Sequence, residues 1–337
     1  MRHFQTLLAL LFFVLLSTHL AAGIAEPRPR VGLVLGGGGA KGAAEVGALK
    51  VLEELDIPVD YIAGTSIGAI VGGLYACGYK SEDLERLFLS QQWLTLFANR
   101  NTSIGDNIIG EHDGTLYVLG FPILHKKDRA KRDSTGVETE GPGFFSGRQI
   151  TQLLDSLTKT YDGIESFDHL PIPFRCVAVD LKSQEEVVMD SCELELAMRA
   201  SMAIPGAFKP VRWKGRMLVD GGMQNNLPVD VVRAMGADVV IAIDLEQAVH
   251  ENRDFSLKET LGIGGLLDWA VSRPDWKKNK ANREDADVCI FPDLAEFDVS
   301  SFSKESISRM IERGEMATRA KSKEIKSLLK KKKQDKK

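Results

Sequence analysis

Residues 31–76 read VGLVLGGGGAKGAAEVGALKVLEELDIPVDYIAGTSIGAIVGGLYA, and the fold is decided inside them. The apolar run from Val31 to Leu35 suits a buried strand, and the four glycines Gly36 to Gly39 that follow predict a tight turn. From Ala40 to Leu55 the period lengthens. Ala44, Ala48, Leu52 and Leu55 share one helical face, with Lys50, Glu53 and Glu54 off it. Asp56-Ile57-Pro58 breaks that helix, and Val59 to Ala63 forms a second apolar run. Gly64-Thr65-Ser66-Ile67-Gly68 then turns into a small-residue helix that continues through Ala76.

Strands that are continuously apolar and alternate with helices predict an α/β protein in three layers. A mostly parallel central sheet is covered by helices on both faces. Further apolar runs extend the sheet at Phe174–Val179, Met217–Val219, Val239–Ile243 and Val288–Phe291. Periodicity fades over residues 98–143, where glycines, prolines and the charged stretch Lys126–Arg132 predict an inserted, lid-like loop region. A helical pattern from Ser303 to Leu329 leads into Lys330–Lys333, so residues 26–320 form the expected domain and 321–337 a solvated, frayed lysine-rich tail. Attraction of that tail to anionic lipid is the sharper alternative.

Composition narrows the function. Of the 337 residues, 44% are hydrophobic and 27% charged, enough for a large core. The net charge of −4 gives no bulk attraction to nucleic acid, so no nucleic-acid partner is expected. Residues 1–25 have the layout of a secretory signal peptide, with Arg2 and His3, an apolar run from Leu7 to Leu16, and small residues from Ala21 to Ala25. The expectation is export to a periplasmic or extracellular location. The cysteines at 77, 176, 192 and 289 show no metal-site spacing, so neither metal nor cofactor is expected.

Chemistry concentrates in three places. Gly64-Thr65-Ser66-Ile67-Gly68 matches G-x-S-x-G between a strand and a helix, the context in which a sharp turn exposes a nucleophilic serine. Gly36-Gly37-Gly38-Gly39-Ala40-Lys41-Gly42 opens a helix and can bind negative charge through backbone N–H groups. That charge is either the oxyanion of an acyl intermediate or a dinucleotide pyrophosphate. Gly37, Gly39 and Gly42 satisfy G-x-G-x-x-G, and Asp60 stands near the position of a ribose-binding acid.

The serine needs a base, and the six histidines offer little. His3 and His19 lie in the signal segment, while His112, His125 and His169 have loop-like surroundings. Asp220 ends a short apolar strand before Gly221 and Gly222, and an aspartate desolvated in a cleft can take the serine proton directly. His250 would complete a Ser66-Asp220-His250 triad in the chain order of α/β-hydrolases.

The glycine loop, the Ser66 pentapeptide and Asp220-Gly221-Gly222 together resemble the three signatures of the patatin-like phospholipases. Arg199 to Pro210 and Asn225-Asn226-Leu227-Pro228 are similar to flanking blocks of that family. The resemblance, to the bacterial patatin-like phospholipases, implies the three-layer fold, a Ser66–Asp220 dyad and an oxyanion hole from the backbone of Gly37, Gly38 and Gly39. It further implies lipid acyl esters as substrates, at a membrane surface and without calcium. Two other readings stand beside it: the histidine triad, and a non-catalytic anion- or nucleotide-binding protein on the same fold.

Overall fold

The computed structural model describes residues 28–98, 110–112, 115–117, 143–246 and 276–335. The predicted signal peptide, most of the insertion, His125 and His250 lie outside the described residues. The chain divides into two units, one of residues 30–325 and the other of 1–29 with 326–337. The site described below lies wholly in the first.

In chain order the elements begin with β1 (Val31–Leu35), α1 (Ala43–Glu54), β2 (Tyr61–Thr65), α2 (Ile67–Ala76), α3 (Ser81–Ser90) and α4 (Trp93–Ala98). Next come β3 (Gly110–His112), β4 (Thr115–Tyr117), β5 (Gly143–Phe145), α5 (Arg148–Thr158), β6 (Phe174–Asp180), β7 (Glu186–Met189) and α6 (Leu194–Ser201). The remainder are β8 (Gly206–Phe208), β9 (Val211–Trp213), β10 (Arg216–Asp220), α7 (Val229–Ala234), β11 (Val239–Ile243), α8 (Trp276–Asp285), β12 (Val288–Ile290) and α9 (Lys304–Asp335).

β12, β11, β1, β2 and β6 lie side by side and parallel, as the continuous apolar runs require. Alternate residues face opposite layers. Val34, Ala63, Val177, Val240 and Ala242 join Leu227, Val229, Val231 and Val232 of the α7 region in one core cluster. On the other face α2 lies against Leu35, Ile62 and Phe174, close enough that a side chain at Gly72 would press on all three.

The sheet is mostly parallel, as expected, with antiparallel strands at one side. β7 is antiparallel to β6, to which a short turn joins it, and β10, joined to β9 by a short turn, is antiparallel to both β9 and β6. Two features depart from the sequence expectation for physical reasons. Glu45 is fully buried on α1, since that helix is covered well beyond the predicted stripe; burial holds its carboxyl well above the usual range. Residues 321–335 belong to α9 instead of fraying. Lysine and leucine are good helix formers, and cations favour the negative end of a helix dipole.

Candidate active site

Two strands meet head to head beside β6. β7 follows one edge of β6 from Cys176 to Val179. The opposite edge is shared: β2 runs parallel along it until Thr65 pairs with Val177, and β10 arrives antiparallel until Asp220 pairs with Ala178. Each strand blocks the other's continuation, so both chains must turn out of the sheet at adjacent ladder positions. Ser66 and Asp220, 154 residues apart in sequence, are thereby brought together.

Ser66 takes the sharper turn, with φ 57° and ψ −121°, a conformation that non-glycine residues adopt only when their surroundings hold it. The holding groups are visible. Ser66 N–H donates to Ser201 Oγ at 2.9 Å, whose own hydroxyl donates to Val177 O at 2.6 Å. Thr65 Oγ1 donates to Asn225 O at 2.8 Å. Gly64 and Gly68 let strand and helix touch: a side chain at Gly68 would collide with the carbonyl oxygens of Leu35 and Gly36, and one at Gly64 with that of Gly68. The N-terminus of α2 starts at Ile67 and directs its unpaired dipole end at the serine.

Ser66 Oγ donates to Asp220 Oδ2 at 2.7 Å. The second carboxylate oxygen, Oδ1, accepts from Gly222 N–H at 2.8 Å, while Asp220 N–H donates to Ala203 O at 3.0 Å. The serine is 5% exposed and the aspartate 4%, so desolvation dominates and pushes the Asp220 carboxyl up to about 6 against the opposing pull of the Gly222 and Ser66 hydrogen bonds. Gly221 fits beneath Val177 O, where any side chain would collide.

The glycine loop ends β1 beside this pair, close enough that a side chain at Gly37 would lie 3.2 Å from Ser66 Cβ. Of the expected oxyanion donors, Gly37 departs from expectation: its N–H is committed to Asn226 O at 3.1 Å. The N–H groups of Gly38 and Gly39 have no acceptor among the described residues. Gly39 adopts φ 58° against Val299, whose carbonyl accepts from Ala40 N–H at 2.9 Å. Gly42 lets α1 close onto Ile67 at the start of α2.

Asn226 clamps the Gly37 peptide from both sides, since its Nδ2 also donates to Gly37 O at 3.2 Å. It is held in turn by Glu246 Oε1 at 3.0 Å, and Glu246 by Asn279 and Arg283 of α8. Burial first, and the neighbouring Asp244 second, push Glu246 up to about 7. Sequence reading placed Asn226 and Ser201 in motif blocks without assigning them these roles. Their signal is the block itself, because a buried asparagine or serine in a motif has a partner to satisfy.

The rival readings fare differently. Asp60 Oδ2 accepts from Val31 N–H at 2.7 Å, binding the strand start rather than facing the loop as a ribose ligand would. With Ser66 Oγ and Asp220 Oδ2 in direct contact, no imidazole can stand between them. His169 lies in a one-turn helix at the far, amino end of β6, away from the dyad. Among the described residues no group of three His, Cys, Asp or Glu side chains is placed to hold a metal ion, and all four cysteines are free.

The model of the patatin-like phospholipase family matches residues 33–233, which span every element of this site up to Asn226. Patatin-like phospholipase domain-containing protein 7 of Mus musculus is 36% identical over 217 residues, covering 64% of this chain and 13% of that protein. Lysophospholipase NTE1 of Mycosarcoma maydis is 34% identical over 215 residues, covering 64% and 10%. An uncharacterized NTE family protein of Mycobacterium bovis is 32% identical, covering 64% and 49%. The chain thus matches less than half the length of each. The crystal structure of VipD from Legionella pneumophila shares the fold, with a TM-score of 0.51 at 17% identity over 88% of this chain and 67% of that one. By the extent of the family match, and with the loop, elbow and aspartate all in place, this chain belongs to the patatin-like phospholipase family.

Proposed function

We propose that the protein hydrolyses lipid acyl esters through a Ser66 acyl-enzyme, with Asp220 as the base and later the acid. The observation that carries this reading is the buried 2.7 Å hydrogen bond from Ser66 Oγ to Asp220 Oδ2. Oγ attacks the ester carbonyl carbon as its proton passes to Oδ2. The developing oxyanion is received by the N–H groups of Gly38 and Gly39 and by the α2 dipole. Asp220 returns the proton to the departing alcohol oxygen. Water then attacks the acyl-enzyme carbonyl, gives its proton to Asp220, and the fatty acid leaves as Ser66 is reprotonated.

A carboxyl lifted to about 6 is a better proton acceptor than an ordinary aspartate and is still ionised at neutral pH. An aromatic cluster offers apolar surface of the kind an acyl chain requires. Phe97 contacts Phe208 and Phe302 at centroid distances of 5.6 and 5.3 Å. Phe302 adjoins the Val299 strap on the glycine loop, and Leu94 on α4 is 62% exposed. Export by residues 1–25 belongs to the same proposal and is checked by the mature N-terminus of protein recovered from cells. The test of function is release of fatty acid from mixed phospholipid and lysophospholipid vesicles. Release that is abolished by Ser66→Ala supports the reading, and release that persists overturns it.

A further inference from the structure

Glu246 follows β11 and stands outside the motif blocks, yet its carboxylate is surrounded by donors. Oε1 accepts from Asn226 Nδ2 at 3.0 Å, and Oε2 accepts from Asn279 Nδ2 at 2.8 Å and from Arg283 Nη2 at 3.0 Å. Arg283 also bonds Asp244 through Nε, and Asp244 Oδ1 accepts from Glu246 N–H at 2.9 Å. The segment after β11 is thus fixed to α8 at two acids, and one of them reaches on to Asn226.

The consequence is felt beyond Asn226. Nδ2 carries two hydrogens, and both are engaged, one by Glu246 and one by Gly37 O at 3.2 Å. The carboxamide oxygen therefore lies toward the Cα atoms of Gly37 and Gly222, where a side chain would come within 2.3 and 2.8 Å of it. Turned over, the amide would set that oxygen against the Glu246 carboxylate and the Gly37 carbonyl, with no donor among the three. The Gly37–Gly38 peptide is trans, so its N–H points opposite to its C=O. Holding Gly37 O on Asn226 therefore sets the direction of Gly38 N–H, which meets no acceptor among the described residues. The main chain of Asn226 does not do this. Its carbonyl takes Gly37 N–H at 3.1 Å and so orients the preceding peptide.

We propose that Glu246 is a positioning residue for the reaction, holding the Asn226 carboxamide so that Gly38 N–H is aimed at the oxyanion. The proposal rests on the Ser66 acyl-enzyme reading and adds to it a residue that contacts Asn226 rather than the dyad. An ionised carboxylate suits the place, because charge-assisted bonds are the stronger ones and every side-chain group bonded to it is a donor. A neutral amide there would set its own NH2 against at least one of those donors. Because an oxyanion donor acts on charge that develops in the transition state, its direction bears on kcat more than on KM.

The test compares the parent with Glu246→Gln and Glu246→Ala in three measurements on the full-length protein. The first is cleavage of a soluble short-chain ester. The second is affinity for a trifluoromethyl ketone, whose adduct with Ser66 carries an oxyanion, and the third is affinity for an ether analogue of the ester, which carries none. In Glu246→Gln, kcat should fall about tenfold, and in Glu246→Ala up to about 100-fold, with KM within about twofold of the parent, as expected for a displaced donor. Ketone affinity should fall by the same factor as kcat/KM, while ether affinity should hold, which shows that the site is otherwise intact. With Asn226 already changed to Ala, Glu246→Gln should have no further effect on kcat, since it acts only through that side chain. The isosteric Gln variant decides the matter. If it matches the parent in kcat, loses ether and ketone affinity together, or slows the Asn226→Ala enzyme further, the proposal is overturned while the acyl-enzyme reading stands. A parent that neither cleaves the ester nor binds the ketone overturns that reading, and this proposal with it.

Discussion

The two walls of the active site are held by different forces. The nucleophile wall, from β1 through the glycine loop and β2 to α2, is apolar and close-packed; Val31 and Leu33–Leu35, Ile62 and Ala63, and α2 from Ile70 onward are all but inaccessible to solvent. Its shape is kept by backbone approaches that leave no room at Gly64 or Gly68. The base wall, from β10 to Asn226, is polar. Asn225 is held by Glu186, Asp230 and Asn282, and Asn226 by Glu246, with Lys278 and Arg283 of α8 closing the network on Glu186, Asp230, Asp244 and Glu246. One wall therefore breaks by added volume, the other by lost hydrogen bonds or changed charge.

The largest effect belongs to the group that joins the walls. Asp220→Asn should lower kcat/KM on the order of 1,000-fold or more, the usual weight of a positioned general base. The same change should raise stability. In the unfolded chain the carboxyl ionises near 3.9, in the fold at about 6, so the fold holds a proton that the unfolded chain has released. Stability is then lost as pH rises between those values and stays lower above 6, by on the order of 2–3 kcal/mol. Asp220→Asn should therefore melt at a higher temperature than the parent at pH 8, and the difference should vanish near pH 4.

Volume on the nucleophile wall comes next. Gly68→Ala places a methyl group against two carbonyl oxygens that belong to the β1 turn. A loss of about 3 kcal/mol or more is expected, read as a fall in denaturant midpoint together with activity. On the base wall, Asn226→Ala removes the side-chain half of the clamp, the bond to Gly37 O, and leaves buried Glu246 short of a donor. About 2 kcal/mol of stability should go with it. Because the glycine loop loosens while the aromatic cluster is untouched, kcat should fall further than KM rises.

Ser201→Ala is the smallest of the set. It strands the Ser66 N–H and the Val177 carbonyl, each buried, at about 1–2 kcal/mol in all. Activity should fall roughly tenfold through disorder of the elbow. Ser201→Thr, which keeps the hydroxyl, should restore most of it; a variant series in which Thr is no better than Ala would remove the hydroxyl bridge from the account.

The same contrast separates what is legible in the sequence from what is not. β1, the glycine loop, α1 and the Ser66 elbow are consecutive, and their signals are local: an apolar run, a change of period, glycines at fixed offsets. β1 and β11 fall on the residues expected, and β2 shifts by only two, from Val59–Ala63 to Tyr61–Thr65. Asp220 was legible as a strand-end acid, but its approach was not. Nothing in Arg216–Asp220 says that the strand is antiparallel or that it shares an edge of β6 with β2, because neither its pairing with β6 nor its meeting with Ser66, 154 residues away, leaves a local trace. The role expected of Gly37 failed for a similar reason, since its acceptor is a carbonyl 189 residues away. Polar networks such as Asn226–Glu246–Arg283 satisfy one another across elements, and composition cannot reveal partners.

The most direct test is the rate at which a fluorophosphonate labels the protein as a function of pH, with the modified residue located by mass spectrometry. The account predicts a single adduct on Ser66, formed faster as pH rises through a midpoint near 6 as Asp220 ionises, and nearly abolished in Asp220→Asn. Labelling that survives Ser66→Ala, or a rate that keeps the same pH midpoint after Asp220→Asn, would contradict it.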